Sequence, residues 1–465
     1  MSRPLAWTLG IAAALGACGP APDRGATVLY ASGADLQSIN PLLTIHPLAR
    51  QVQRYVLLTT LARYDSTLVP RPYLARRWVW SADRKSLTCN LATGVRWHDG
   101  TPTTARDVRW TLDAARDPIV GYPRLADLAD LREVSAPDDS TVVLAFSAPQ
   151  RTFPDVLTDL GVLPAHLLDT VPRQALRRAA WNASPVGNGP FRFVRHEPNR
   201  SWVFAANPDF PAELGGPPAL ARLVIVVVDE PVTKLAALVD GELDFAGIQP
   251  AHAAYVRRDP RLRVLDYPLL FTYGLVFNTR RAPFDRVDVR RAISAALDRR
   301  ELVEGYVYGF GIPAAGPVPP DVPARSAAYR RAASEFELLT VGSGDAVLEQ
   351  MVQAQLARAG FRVRIRQLEL SAFLDRLYGP AHDFDTAILG IPGDLGLGYL
   401  GPLAALAGMT APHDPEGAER MFSDSLPVAF LYHARGIQGM NRRVHGVRMD
   451  LRGELVTVHD WQVEP

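Results

Sequence analysis

The chain has 465 residues, of which 48% are hydrophobic and 21% are charged, a composition typical of a globular protein with a large core and not of a disordered one. Its 50 Lys and Arg residues almost balance its 49 Asp and Glu residues, and the net charge of +1 argues against a nucleic-acid-binding surface. The length suggests about two or three domains, and no period of roughly 20 to 50 residues indicates a repeat array.

Residues 1–17 predict an export signal. Arg3 is followed by an apolar run that is too short to span a bilayer and that ends in Leu15-Gly16-Ala17-Cys18. Small residues directly before a cysteine resemble the lipobox of bacterial lipoproteins, which implies cleavage before Cys18 and attachment of acyl chains to this residue. The alternative is an ordinary secretory signal in which Cys18 is incidental. Both interpretations predict an exported protein.

The second cysteine of the chain is Cys89. If Cys18 is lipidated, no internal disulfide can form in the mature chain. Cys89 lies in the β-rich run Ser86–Leu91, and we expect a buried small apolar residue there rather than a reactive thiol.

The chain up to Trp181 predicts a region that mixes helices and strands. Thr27–Ser32 predicts a strand that ends at Gly33, where the missing side chain would let the backbone approach a ligand closely, although a plain turn explains this glycine as well. The other predicted elements are a helix at Gln51–Leu61, a hairpin within Trp78–Asp99, a helix from the capping box Thr104-x-x-Asp107 to Arg116, and a strand at Thr141–Phe146.

The chain after Trp181 predicts a unit with a parallel sheet. The continuous apolar run Leu223–Val228 is typical of a strand buried on both faces. Strand, helix and strand in succession are typical of a parallel β–α–β unit. In order, the elements are a Gly/Pro turn at Pro185–Pro190, a hairpin of Phe191–Arg195 and Trp202–Ala205, the strand, a helix from Pro231 to Gly241, and a strand at Asp244–Gly247.

The segment Phe271–Gly309 predicts a strand followed by two helices. Aromatic and aliphatic residues alternate from Phe271 to Phe277, and apolar residues recur at helical spacing from Val289 to Leu297. Farther along, the pattern predicts a helix over Asp345–Gly360, a strand at Phe361–Arg366 and a strand at Asp385–Gly390. The three arginines of the second of these elements predict a solvated strand face, with an anion site as the less favoured alternative.

Five sequence blocks each resemble a known motif. Any one of them is a weak signal, but all five occur in the same order as in the family that they resemble. They are Pro72–Trp78 (compare P-x-L-A-x-x-W), Gly94–Val108 (compare GVKFHDGTPLTAEDV), Pro185–Phe191 (compare PVGTGPY, with Asn188 in place of Thr), Leu238–Asp244 (compare L-x-x-G-E-x-D) and Phe277–Arg299. Together they resemble the family 5 extracytoplasmic solute-binding proteins of ABC importers, a group that includes dipeptide-, oligopeptide- and nickel-binding proteins. The resemblance covers the chain from about Asp35 to Tyr399.

This resemblance implies an α/β fold of the bilobal periplasmic-binding-protein type (class II), with an additional inserted domain and a hinge between the lobes. After a signal peptide at 1–17, it assigns 18–44, 181–269 and 436–465 to a discontinuous first lobe, 45–180 to the inserted domain and 270–435 to the second lobe. The hinge is expected at Asp266–Thr272 and Pro427–Arg435. Ligands of such folds bind between the lobes.

The resemblance also implies a function without catalysis. It predicts a membrane-anchored extracytoplasmic lipoprotein on the periplasmic side that captures a small peptide or related solute and delivers it to the transmembrane subunits of an ABC permease. We expect no cofactor, no metal and no nucleic-acid partner, contact with the membrane only through the N-terminal lipid, and a monomer. An alternative is a sensory or structural lipoprotein with the same fold, because the second lobe looks shorter than is usual in the family around 401–426.

The resemblance places the ligand site at the loop that follows the strand at Asp385–Gly390. In peptide-binding members, an acidic residue of a Trp-x-x-Asp loop pairs with the α-amino group of the peptide; Asp394 takes this position, and Ile391 replaces the Trp. A carboxylate in a closing cleft suits an ammonium group because desolvation strengthens the pair. A solvated loop aspartate is the alternative. The predicted ligand-binding residues are Asp394, Gly393, Ile391, Tyr273 and Gly33.

A glycine pattern in the same loop suggests a different chemistry. Gly396-x-Gly398-x-x-Gly401 matches a dinucleotide-binding fingerprint and raises a secreted nucleotide-binding enzyme as a further alternative. However, Ile391–Leu395 separates the glycines from the strand, and no acidic residue follows at the end of a clear second strand. We therefore favour a binding protein.

Metal and catalytic signatures have little support. His413-Asp414-x-Glu416 is a possible metal cluster, but a polar surface loop explains it better because the ten histidines are otherwise scattered. The sequence contains no H-E-x-x-H, G-x-S-x-G or GK[ST] motif, and no catalytic residue is predicted.

Overall fold

The structure, a computed structural model, describes residues 25–44, 46–317, 335–342, 344–393, 397–412 and 415–464. The predicted export signal and Cys18 lie outside the described residues, so the predictions for them stay predictions. Within the described ranges, no helix is long and apolar enough to cross a bilayer.

The chain up to Leu168 forms seven strands and four helices. They are β1 (Thr27–Ser32), α1 (Pro47–Gln51), β2 (Ala62–Tyr64), β3 (Pro70–Pro72), β4 (Ala75–Trp80), β5 (Ser86–Leu91), α2 (Ala105–Arg116), β6 (Leu131–Asp138), β7 (Thr141–Phe146), α3 (Val156–Asp159) and α4 (Ala165–Leu168). The first helix continues as a π-helical segment, Val52–Leu57.

The rest of the described chain adds twelve strands and eight helices. They are β8 (Phe191–Glu197), β9 (Ser201–Ala206), β10 (Arg222–Val227), α5 (Pro231–Val239), β11 (Phe245–Gly247), α6 (Ala253–Arg258), β12 (Leu262–Phe277), α7 (Val287–Ala295), α8 (Arg299–Tyr306), β13 (Gly311–Pro313), β14 (Glu335–Val341), α9 (Val347–Arg358), β15 (Arg362–Leu368), α10 (Leu370–Tyr378), β16 (Thr386–Pro392), α11 (Leu400–Ala407), α12 (Pro415–Ser425), β17 (Val428–Asn441), β18 (Val444–His445) and β19 (Gln462–Val463).

One 11-stranded sheet has the order β15-β14-β16-β12-β17-β11-β1-β10-β9-β8, with β13 paired to β17. It joins two halves of the molecule: the first half contains β1 and β8–β11, and the second half contains β13–β16. β12 and β17 are its longest strands, at 16 and 14 residues, and they pair antiparallel over most of their length. On one side β17 pairs with β11, and on the other β12 pairs with β16. These two strands therefore connect the halves.

The half that contains β1 has the predicted parallel arrangement, because β1 pairs parallel with both β10 and β11. The hairpin of β8 and β9 is also confirmed. The prediction that Leu223–Val228 is buried on both faces is wrong. Leu223 and Ile225 are fully buried, but Val224 and Val226 are only partly covered, so the strand has one core face.

The chain from β4 to β7 forms a four-stranded antiparallel sheet, β4-β5-β7-β6, against which α2 packs. The predicted capping box is present, since the Asp107 carboxylate accepts a hydrogen bond from the Thr104 N–H at 2.8 Å. Cys89 is fully buried, as predicted, and burial raises the pKa of its thiol to about 12. A single hydrophobic cluster includes Trp97 of this region and Trp461 near the C-terminus, so the two parts share a core.

The helix predicted at Gln51–Leu61 begins and ends earlier than expected, at Pro47 and Leu57. It stops because the chain at Leu58 turns to an extended conformation, and the Leu57 carbonyl accepts hydrogen bonds from the N–H groups of Asn188 and Gly189 at 3.1 and 2.9 Å. A contact between segments that are distant in sequence thus ends this helix.

The second half packs helices on both sides of its strands. One hydrophobic cluster contains Phe277, Ile293 and Leu356, and another contains Phe384, Leu400 and Phe430. The arginines of β15 are exposed as predicted, and those at 364 and 366 pair with Glu335 and Glu337 on β14 at 3.3 and 3.4 Å. They form the solvated face of an edge strand.

Candidate functional site

The antiparallel pair of β12 and β17, which we call the β12–β17 crossing, contains a break in its strand register. Pro268 lies opposite Arg435 and Thr272 lies opposite His433, so β12 has three residues between these pairs where β17 has one. The freed Leu270 carbonyl accepts a hydrogen bond from the Gly393 N–H, at 2.8 Å. This hydrogen bond attaches β12 to the loop that follows β16.

A cavity of about 190 Å³ lies beside this crossing. Its lining comes from α1 and the π-helical segment, from the chain around α3, from the crossing strand, from 450–454 near the C-terminus and from the loop after β16. The lining residues are Pro47, Arg50, Gln51, Arg54, Tyr55, Arg63, Tyr64, Asp155, Thr158, Asp159, Leu269, Leu270, Gly393, Asp450, Leu451, Arg452, Gly453 and Glu454. Both halves of the molecule thus contribute to one cleft.

A buried ion network forms one wall of the cleft. The Asp159 carboxylate is paired with Arg50 and Arg54, each at 2.6 Å, and with Arg124 at 2.8 Å. Burial alone would raise the pKa of Asp159, but Arg54, Arg50 and Arg124 outweigh burial and hold that pKa below its usual value. The Asp159 carboxylate therefore stays ionised, and its negative charge is neutralised by the three arginines with which it pairs.

The same wall is joined to the C-terminal segment. Arg54 donates a hydrogen bond from Nη2 to the Arg452 carbonyl at 2.6 Å, and the Arg452 side chain pairs with Asp450 at 2.6 Å. Removing one partner of a buried ion pair typically costs about 3–5 kcal/mol. We infer that this network fixes the geometry of the wall before any ligand binds.

Arg63 is a lining cation with no carboxylate partner among the described residues. Its Cζ lies 3.6 Å from the ring centre of Tyr73 and 5.4 Å from that of Tyr55, and its Nη2 donates to the Arg54 carbonyl at 2.9 Å. The Nε–H is buried without a hydrogen-bond partner in the described part of the chain. The aromatic rings stabilise the charge and orient the guanidinium.

Glu454 is the complementary case, a lining carboxylate with no basic partner among the described residues. It accepts hydrogen bonds from the hydroxyls of Tyr30 and Tyr267, the latter at 2.6 Å, and from Gln438 Nε2 at 3.3 Å. Burial and the neighbouring Glu454 carboxylate raise the pKa of both tyrosines, so both remain donors at neutral pH. The carboxylate is held in place entirely by neutral groups.

The structure places only one of the described predicted site residues at this cavity, namely Gly393. Ile391 is buried in the core of the second half, and Tyr273 stacks on Tyr432 with ring centres 4.9 Å apart. Gly33 lies beside the Lys234 ammonium, 3.4 Å from the position that a Cβ would take. None of these three lines the cavity. Asp394 lies outside the described residues, so its role stays a prediction.

The sequence reading missed the charged wall. Arg50 and Arg54 are four residues apart on one helical segment, and so are Asp155 and Asp159, a spacing that places each pair on one face. That pattern was a usable signal. Glu454 had none, because its environment is built from segments that are hundreds of residues apart in the chain.

The weaker alternatives gain nothing from the described residues. Gly401 is the second residue of α11, and no protein atom lies within 4 Å of the position that a Cβ would take there. Gly396, His413 and Asp414 lie outside the described residues. Elsewhere in the described chain, no group of three or more His, Cys, Asp or Glu side chains is arranged to hold a metal ion.

Comparison with proteins of known structure supports the predicted bilobal fold. The chain is similar to NikZ from Campylobacter jejuni, crystallised with Ni(L-His), with a TM-score of 0.76 at 19% identity over 94% of this chain and 99% of NikZ. It is also similar to a dipeptide-binding protein from Pseudoalteromonas sp. SM9913 in complex with Met-Leu, with a TM-score of 0.75 at 21% identity over 94% of this chain and all of the other. The α/β bilobal fold is confirmed.

Sequence comparison identifies the family. The chain is 28% identical to di/tripeptide-binding protein 2 of Pseudomonas aeruginosa, over 78% of this chain and 73% of that protein. It is 31% identical, over 52% of its length, to a Brucella ovis protein named for ABC-transporter peptide binding, and it spans about half of that relative, 45%. The model of the bacterial extracellular solute-binding proteins, family 5, matches residues 69–400. The chain therefore belongs to the family 5 bacterial extracellular solute-binding proteins.

Proposed function

We propose that the protein captures a small peptide, or a related small solute, in the cleft beside the β12–β17 crossing and delivers it to the transmembrane subunits of an ABC importer. The observation that carries this proposal is the cavity itself, which is lined by both halves and contains unpaired charged groups. A protein of this kind performs no chemistry on its ligand. The names of its relatives from Pseudomonas aeruginosa and Brucella ovis support a peptide ligand.

The size of the cavity favours a short ligand. Its volume of about 190 Å³ is below the roughly 300–1,000 Å³ of typical drug-sized pockets. The cavity is lined by charged side chains. Because such groups orient a ligand and determine specificity, the lining favours a ligand with ionised ends over an apolar ligand. We therefore expect peptides of about two or three residues to bind more tightly than long ones.

We also propose that the mature protein is a monomer attached to the membrane through acyl chains on Cys18, with its body on the extracytoplasmic side. Several acyl chains on one residue supply the stable anchoring that a single chain does not. The domain boundaries given by the sequence also remain a proposal, with the first lobe and the inserted domain sharing one hydrophobic cluster.

A thermal-shift screen tests this function. A ligand that binds only the native state raises the melting temperature, by an amount that corresponds to about 2.7 kcal/mol at a hundredfold excess over Kd. Purified protein should be stabilised by members of a di- and tripeptide library and not by nicotinamide dinucleotides. No shift with any peptide or metal chelate, in buffer where the protein is folded, would contradict the proposal and favour a sensory or structural role.

Asp394→Asn extends the same screen. If Asp394 pairs with a ligand ammonium group, this variant should bind peptides several-fold more weakly or worse and keep the melting temperature of the free protein. An unchanged affinity would remove Asp394 from the site.

A further inference from the structure

Phe310 reaches from the second half of the molecule into the hydrophobic core of the first half. It lies between α8 and β13, and its side chain is buried. The hydrophobic cluster to which it belongs includes Leu238, Val256 and Ile437. Among the described residues, the other buried members of this cluster come from the first half or from the ends of β12 and β17 nearest to β11. The two halves therefore share a contact in addition to the β12–β17 crossing.

The loop that carries Phe310 is fixed to the second half. The Gly309 N–H donates a hydrogen bond to the carbonyl of Val303 at 3.0 Å, and Val303 is buried in a core cluster of the second half. Directly after the ring, Gly311 pairs with Ala434 on β17. The Phe310 ring thus belongs to the second half through its backbone and to the first half through its contacts.

The turn before Phe310 adopts a conformation that residues other than glycine avoid. Tyr308 has a φ of +53° and Gly309 has a φ of +83°, both in the left-handed region. A tyrosine persists in this region only where the surrounding structure fixes it. The Tyr308 side chain is 61% exposed, so its own burial does not offset the cost. The burial of Phe310, two residues later, does.

The first half also covers the ring from the solvent side. Arg257 is an exposed residue of α6, and its Cζ lies 5.4 Å from the centre of the Phe310 ring. A guanidinium placed over an aromatic face is attracted to it. Apolar contacts and a cation–π contact thus hold the same ring against the first half.

Phe310 and the cleft lie on opposite faces of the β12–β17 crossing. Successive side chains of a strand point to opposite faces of the sheet. Gln438 donates to Glu454, which lines the cleft, and so does Tyr267 from β12. Ile437, the neighbour of Gln438, packs in the cluster of Phe310 instead. The ring is therefore behind the crossing, on the side away from the cleft.

This position couples the ring to the angle between the halves. If two halves turn about a strand pair so that they approach each other on one face, they move apart on the other face. Closing the cleft therefore withdraws Phe310 from the cluster of the first half. We propose that Phe310 is a latch that stabilises the open form and lowers ligand affinity without touching the ligand. The inference goes beyond the proposed function, because it concerns the free protein as well.

The affinity effect follows from the populations of the two forms. If a ligand binds best to the closed form, its apparent affinity is reduced in proportion to the fraction of the protein that is closed before binding. Weakening the latch raises this fraction. Removing the ring should therefore make the protein less stable and at the same time a tighter binder.

Phe310→Ala tests the latch with and without ligand. The radius of gyration of the free variant, measured by small-angle X-ray scattering, should be smaller than that of the free wild type. A randomised dipeptide mixture should bind several-fold more tightly in calorimetry, although the variant melts at a lower temperature because a buried ring is lost. A radius equal to or larger than that of the wild type would overturn the inference.

Phe336→Ala is the matched control. Phe336 is also a buried phenylalanine, but it packs edge-on against Phe284 and Phe361 in a cluster of the second half. Its truncation should lower the melting temperature and leave both the radius and the dipeptide affinity of the wild type unchanged. A merely structural role of Phe310 predicts this same behaviour for Phe310→Ala.

Arg257→Gln replaces Phe310→Ala if the alanine variant does not fold. Arg257 is exposed, so its substitution spares the core. The free variant should again be more compact and bind dipeptides about twofold more tightly, because only the cation–π contact is lost. Arg258→Gln makes the same change of charge on the next residue of α6 and should behave as the wild type does. Equal radii for these two variants would then overturn the latch.

The outcomes separate this inference from the proposed function. If no dipeptide binds to the wild type or to any variant, the proposed function fails, and the radius of the free variants alone decides the latch. If dipeptides bind but the affinities and radii of the wild type and Phe310→Ala agree, the latch alone is overturned.

Discussion

At the scale of single residues, His98 joins the chain after β5 to the turn before β8. Its Nδ1 accepts a hydrogen bond from the Gly187 N–H at 3.2 Å, so Nε2 carries the proton and donates to the Gly189 carbonyl at 3.1 Å. Burial and the nearby Arg192 lower the pKa of His98 to about 4, although the Gly189 carbonyl and Asp99 act in the opposite direction. The histidine is therefore neutral, and both of its nitrogens are used by structure.

This pKa predicts a loss of stability in acid. Between a pKa of about 4 in the folded protein and about 6.5 in the unfolded chain, the unfolded state binds more protons, so stability falls as the pH drops through this window. The loss from pH 7 to pH 5 should be about 2 kcal/mol. Urea unfolding of the wild type and His98→Gln measures it, because glutamine does not titrate. Equal losses in the two proteins would show that His98 is not responsible.

At the scale of elements, the turn Pro185–Pro190 locks three segments together. The Asn188 side chain accepts from the Thr59 N–H at 2.8 Å and donates to Thr103 Oγ1 at 3.3 Å. A Cβ on Gly187 would lie 2.0 Å from the Leu57 carbonyl oxygen, which is closer than any real contact. The block that resembles the family motif therefore has a packing role. Gly187 is needed because any side chain there would clash with the Leu57 backbone.

Gly187→Ala should destabilise the protein by about 2 kcal/mol or more, because the clash is with backbone, which cannot rotate away. Gly401→Ala is the matched control, since a Cβ there meets nothing within 4 Å and alanine suits a helix better than glycine by about 1 kcal/mol. Chemical denaturation should show a large loss for the first variant and none for the second. Similar stabilities for the two would refute the packing role of Gly187.

Elements with a local signal were predictable from the sequence. Thr141–Phe146 alternates buried and partly buried residues, and the strand has the predicted bounds. β12 was predicted only from Phe271 onward, since its first part is half exposed and contains Pro268, which argues against a strand. The site was less accessible still. Arg63 and Glu454 come to line one cavity through contacts of the folded chain, and neither carries a local pattern.

At the scale of the whole molecule, the two halves are connected through β12 and β17, and the register break lies where the connection passes the cleft. Asp266 and Arg435 form an ion pair across the two strands next to the break. Large φ/ψ changes in hinge motions are confined to a few residues at such positions. We therefore expect the strand pair to act as the hinge, with the loop at Gly393 moving toward the opposite wall of the cleft.

Ligand binding should thus compact the molecule. A ligand shifts an equilibrium between open and closed forms only as far as it binds one form better than the other, and a peptide that contacts both halves is expected to bind the closed form better. Saturating randomised dipeptides should decrease the radius of gyration measured by small-angle X-ray scattering for the wild type. Asp394→Asn should need a higher dipeptide concentration to reach the same decrease, because this variant is expected to bind peptides more weakly. A rise in melting temperature with no change in radius would show that the cleft is already closed without ligand, and that the strand crossing is a rigid support.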